Sequence, residues 1–100
     1  METIELVSST RNLVGADLGL KYRQEYLIDA FDFGNPVTIH VPDNIYSISS
    51  SFIIGMFEDS TDQFSTMDEF MNHYYFDCNT TVFKCITSGI YRLYNRRDPE

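Results

Sequence analysis

The sequence predicts an α/β fold, a small three- to four-stranded mixed sheet packed against helices. Three observations carry this. Short β-prone runs at 37–41 and 74–76 alternate with stretches whose apolar residues recur at helical spacing. Hydroxyl residues of the N-cap type precede those stretches: Ser49-Ser50-Ser51, Ser65-Thr66 and Thr80-Thr81. Strands interleaved with helices are at least partly parallel, because each strand-helix-strand unit crosses over right-handed.

Taken in order, 3–7 alternates loosely and is a first strand or an extended lead-in, and 12–16 is a turn-like connection around Gly15. Asp17 is a plausible N-cap for a helix with the stripe Leu18, Tyr22, Tyr26, Ala30 and with Leu20, Leu27 and Phe31 beside it. Gly34-Asn35-Pro36 stops that helix, with glycine in the C-cap role and proline just beyond. Val37, Ile39 and Val41 then alternate with Thr38 and His40 as a strand, ended by Pro42-Asp43-Asn44. The serine run opens a helix at Phe52, Ile53, Met56 and Phe57. After a polar connection at 60–64, Ser65-Asp68 and Thr66-Glu69 have capping-box spacing for a short helix to about His73. Tyr74, Tyr75 and Phe76 form a strand. Thr80 or Thr81 caps a last helix with the stripe Val82, Phe83, Ile86, Ile90, Leu93 and Tyr94. The chain reads as one domain, 1–100, with a disordered tail at 96–100.

The unit strand, serine loop, helix resembles the core of a STAS domain, the fold of bacterial anti-sigma-factor antagonists. It is most similar to STAS-like domains of unknown function, through Ile48-Ser49-Ser50-Ser51-Phe52 preceded by the strand 37–41. The resemblance implies a STAS-like sheet and a partner-switching role. By position it implies that Ser50 is a phosphorylation site and that Ser49 replaces the aspartate before it.

Composition bounds the function classes. With 43% hydrophobic and 22% charged residues, the chain has the make-up of a globular domain. It has no 18-residue apolar run and an acidic start, so neither a membrane span nor a signal peptide is expected, and the default placement is cytoplasmic. Cys78 and Cys85 are expected reduced and buried. The net charge is −8, and no Lys or Arg lies between Arg23 and Lys84. Such a field disfavours direct nucleic-acid binding, where affinity comes from cations, and steers in a basic protein partner.

No catalytic, metal or cofactor site is expected. A Ser50–His40 nucleophile pair lacks the elbow motif around the serine, and helix capping accounts for the serines. His73, Asp77 and Cys78 match no zinc spacing, and the acidic pairs lack the loop of an EF-hand. The expectation is therefore a non-enzymatic, STAS-like protein-interaction module, possessing a contact surface at Ser49, Ser50, Ser51, Phe52, Glu58, Asp59 and Asp62. Its partner would be a protein with a basic surface, such as a kinase-like ATPase or a nucleic-acid-binding effector. The alternative is a small acidic phage-encoded inhibitor, of anti-CRISPR or anti-defence type, that blocks a basic nucleic-acid-binding groove.

Overall fold

Val37 and Ile39 point inward and Thr38 and His40 outward along the middle strand of a three-stranded sheet. The structure, a computed structural model, describes residues 2–97. The chain runs β1 (Glu2–Glu5), β2 (Asn12–Leu13), α1 (Ala16–Glu25), α2 (Ile28–Asp32), β3 (Val37–His40), β4 (Ser47–Ile48), α3 (Ser50–Phe57), a 3-10 turn (Ser60–Gln63), α4 (Met67–His73), β5 (Tyr74–Asp77) and α5 (Thr80–Arg97). The order is β1-β3-β5, with Glu2 opposite Val37 and Val37 opposite Tyr74. β2 and β4 make a second, two-stranded ladder. Every one of these pairings is parallel, which corrects the expected mixed sheet. The physical reason is that helices, rather than tight hairpins, link each paired strand to the next.

Both crossovers step in the same direction across the sheet. Right-handed crossovers that step one way put their helices on one face. Ile4, Val37, Ile39 and Tyr74 are accordingly buried on that face, while Thr3, Glu5, Tyr75 and Asp77 on the other are exposed. Parallel sheets are ordinarily covered on both faces. Among the described residues, this one is covered on one.

Helix α3 sits at the middle of the covering layer. Phe52, Ile53, Met56 and Phe57 are all buried, because α3 has α1 and α5 as neighbours and Phe57 packs edge-on against Tyr74 and Phe76 of the sheet. The α1 crossing is a backbone contact: a Cβ on Gly19 would lie 2.1 Å from the Phe52 carbonyl oxygen, and one on Gly55 2.1 Å from that of Ala16. On the other side Gly89 of α5 meets Ile53. Val82, Ile86, Ile90 and Leu93 of α5 are buried, each contributing roughly 1.5–3 kcal/mol.

Several local expectations change. The single helix from Asp17 is two, broken at Leu27, which adopts a left-handed φ of 57°. Gly15, not Asp17, occupies the N-cap of α1, and Leu20, Leu27 and Ala30 are exposed. The connections at 12–16 and 45–48 contain the short strands β2 and β4. Asn79 caps α5, its Oδ1 accepting from the Val82 N–H at 2.9 Å, in place of Thr80 or Thr81. Phe83 is 39% exposed rather than core. Of the tail expected to be disordered, Arg96 and Arg97 belong to the last turn of α5, and 98–100 lie outside the described residues.

Candidate functional site

The serine loop is built from its backbone outward. After the turn at Pro42, β4 pairs with β2 and brings the Ser49 N–H to the Leu13 carbonyl at 2.8 Å. Ser49 is the N-cap of α3: its Oγ accepts from the Phe52 N–H at 3.0 Å and from the Gly15 N–H at 3.2 Å, and lies 3.0 Å from the Ser51 Oγ. One hydroxyl thus joins the starts of α1 and α3. Ser50 is half-buried and Ser51 exposed. Phe52, expected in the contact surface, is fully buried and meets Tyr22 edge-on at 5.3 Å. That corrects its role to core, because it belongs to the same inward stripe as Ile53 and Met56.

The acids expected beside the serines are elsewhere. Glu58, Asp59 and Asp62 follow the C-terminal end of α3, about 12 Å along the axis from the serine cap for an eight-residue helix. All three are exposed, and Glu58 lies 3.6 Å from Arg96 in an ion pair with both side chains more than half exposed. Such a pair is worth little, because solvent screens it. The expected surface is therefore two patches at opposite ends of one helix.

The uncovered sheet face carries two rows in register. Thr3, Thr38 and Tyr75 form one, and Glu5, His40 and Asp77 the other. The His40 Nδ1 lies 3.0 Å from Asp77 Oδ2. The imidazole weighed as a base for Ser50 thus turns to a carboxylate on the neighbouring strand. Cys78, which follows Asp77, and Cys85 on α5 are free and half-buried, and burial, then the charge of Asp77, pushes the Cys78 thiol above its ordinary value. That disfavours the reactive thiolate. His73 donates from Nε2 to the Phe31 carbonyl at 2.6 Å. Among the described residues no three His, Cys, Asp or Glu side chains are grouped to hold a metal ion. A cleft of about 730 Å³ lined by Glu2, Ala30, Phe31, Gly34, Asn35 and Pro36 has Glu2 as its one ionisable side chain.

Comparison with protein-family models, curated proteins and solved structures finds no match. The side chains themselves must carry the reading.

The strongest polar arrangement is internal, and sequence reasoning missed it. Arg23 is 3% exposed and donates to the Met56 carbonyl at 2.8 Å, to Ser60 Oγ at 2.7 Å, to Asp32 Oδ2 at 2.7 Å and to Asp29. Ser60 and Tyr74 donate in turn to Asp32 Oδ1. Burial pulls the Arg23 guanidinium down, but bonds and charge from Asp32 and Asp29 outweigh it and hold it above its ordinary value. Burial, then the bond to Asp32, raises the Tyr74 hydroxyl. The break at Leu27 makes this possible. In one continuous helix Arg23 and Asp32 would be about 13.5 Å apart along the axis. The available signal was the spacing Gly19, Tyr22, Arg23, Tyr26, which puts the arginine on the inward stripe.

Proposed function

We propose that this chain is a non-enzymatic protein-interaction module that binds a basic surface of a partner protein. One observation supports the reading above the rest. With Arg23 and Asp32 paired inside, the remaining 6 basic and 14 acidic side chains (7 − 1 and 15 − 1) still leave a net charge of −8. No Lys or Arg lies at 24–83, where Glu25, Asp43, Glu58, Asp59, Asp68 and Asp77 are among the exposed acids. Such a field attracts cationic partners over long range and repels a phosphate backbone.

The STAS-like arrangement and the cytoplasmic, partner-switching role belong to the same proposal. What favours them is β3 leading, by way of the short strand β4, to a serine-capped α3, with Ser50 as its first residue, where a phosphate is tolerated. The phage-encoded inhibitor of a nucleic-acid-binding effector rests on the charge alone.

The test is a titration with an arginine- and lysine-rich peptide from about 0.01 M to about 0.15 M salt, over which the Debye length falls from about 30 Å to about 8 Å. Affinity should drop steeply, mainly through the association rate. The same titration on Ser50→Asp and Ser50→Ala isolates switching. Salt-independent binding would sink the acidic-module reading, and identical behaviour of the two Ser50 variants would sink the switch.

A further inference from the structure

We infer that the uncovered face of the β1-β3-β5 sheet is the docking surface for a single arginine-bearing helix of a partner protein. The inference rests on the acidic-module reading and places its contact. A parallel sheet usually has helices on both faces, because its strands come joined by helices that must pack somewhere. Here both crossovers fall on one side, and Thr3, Glu5, Thr38, His40, Tyr75 and Asp77 make the other.

The dimensions select the occupant. Outer strands of a three-stranded sheet are about 10 Å apart and four residues run about 13 Å. A helix with its side chains is about 10–12 Å across. The face therefore takes one helix and no more, which also implies a small, transient interface.

The chemistry selects its residues. An apolar helix finds no partner here, since the face presents two threonines, a tyrosine, a histidine and two carboxylates. Glu5 and Asp77 stand on the two outer strands at the same register, one on each side of His40. The Asp77 side chain is 69% exposed, so its contact with His40 leaves carboxylate surface open to a second donor. A guanidinium satisfies a carboxylate with two parallel N–H donors, and it also stacks on an aromatic ring. Tyr75, 41% exposed and one row away, supplies that ring. Lysine matches the charge but neither geometry.

The test uses an alanine-based helical peptide of more than about 15 residues, long enough to hold helix in water, with arginines at i and i+4 on one face. Amide chemical-shift changes on the full chain should concentrate at Thr3, Glu5, Thr38, His40, Tyr75 and Asp77. Glu5→Gln with Asp77→Asn should weaken binding about tenfold or more, and a lysine-for-arginine peptide should bind less well than the arginine one. Both substitutions point outward, so an unchanged thermal melt confirms that the fold survives. Asp59→Asn with Asp43→Asn, which removes equal charge elsewhere, should weaken binding only through the shared field, and clearly less than the Glu5/Asp77 pair. Salt-sensitive binding with shifts spread over Glu58, Asp59 and Asp68, and no loss in the Glu5/Asp77 variant, would overturn the docking site while leaving the acidic module standing. No binding even at low salt would overturn both. A dimer in sedimentation that dissociates on Asp77→Asn would show a second copy on this face and overturn the partner helix.

Discussion

Arg23→Met tests whether the buried network holds α2 and the 3-10 turn in place. Methionine keeps much of the aliphatic stem's volume, so the change removes the guanidinium with little cavity. Four hydrogen bonds go with it, and the Met56 carbonyl loses a donor. More costly is Asp32: its side chain is 2% exposed and would keep donors from Ser60 and Tyr74 but no counter-charge. Asp29, whose side chain is 82% exposed, simply returns to water. Breaking a buried pair from one side costs about 3–5 kcal/mol, a large part of the roughly 5–15 kcal/mol that holds a domain together. Adding Asp32→Asn removes the stranded charge while keeping an acceptor for Tyr74. The double variant should therefore be less destabilised than the sum of the single ones, by about 1–3 kcal/mol. Urea unfolding followed by far-UV circular dichroism measures all three. A cost below about 1 kcal/mol for Arg23→Met, or strict additivity in the cycle, would refute the view that the pair acts as one buried unit.

Two further outcomes follow from local geometry. Gly19→Ala or Gly55→Ala should cost at least the roughly 3 kcal/mol at the upper end of overpacking, since each Cβ meets a backbone carbonyl. Gly34→Ala, whose nearest neighbour is 3.5 Å away, should be mild in the same thermal melts, and equal effects at the three positions would contradict the close crossing. Tyr74 is raised in the folded state, so the unfolded chain gives up its phenolic proton first and stability should fall as pH climbs above about 10. Tyr74→Phe should lose stability at neutral pH, by about 1–2 kcal/mol with the bond to Asp32, yet flatten that alkaline decline. An alkaline slope identical in both proteins would assign it to other groups.

The elements legible in the sequence are those written in local pattern. The alternation at β3, the serine cap of α3, the Thr66 and Glu69 pair at α4, and the 3.6-residue stripe of α5 each depend on neighbours within one element. The break at Leu27 is illegible because the apolar period continues through it. It is set by carboxylates that reach an arginine on another helix. Phe52 carries two readings in the sequence, the first apolar position of the α3 stripe and the last residue of the serine contact surface; as the third residue after its cap it faces inward, and the stripe prevails. The one-sided sheet belongs to neither kind of signal. It follows from strand order, which four-residue strands leave unwritten. The charge distribution was legible throughout, except that Asp32 counts among surface acids until its partner is seen.

That strand order also governs how the chain reaches this shape. Glu2 pairs with Val37, 35 positions on, and Val37 with Tyr74, a further 37. Closing each loop costs about 3 kcal/mol in chain entropy by length alone, before any ladder bond repays it. Neither pairing can be nucleated by a turn. Helices α1 to α4 are only 10, 5, 8 and 7 residues long and draw their stability from packing, so they and the sheet form in one step that needs β3 flanked on both sides. No two-stranded piece of it is local enough to persist by itself, so the chain folds slowly for its size and all at once.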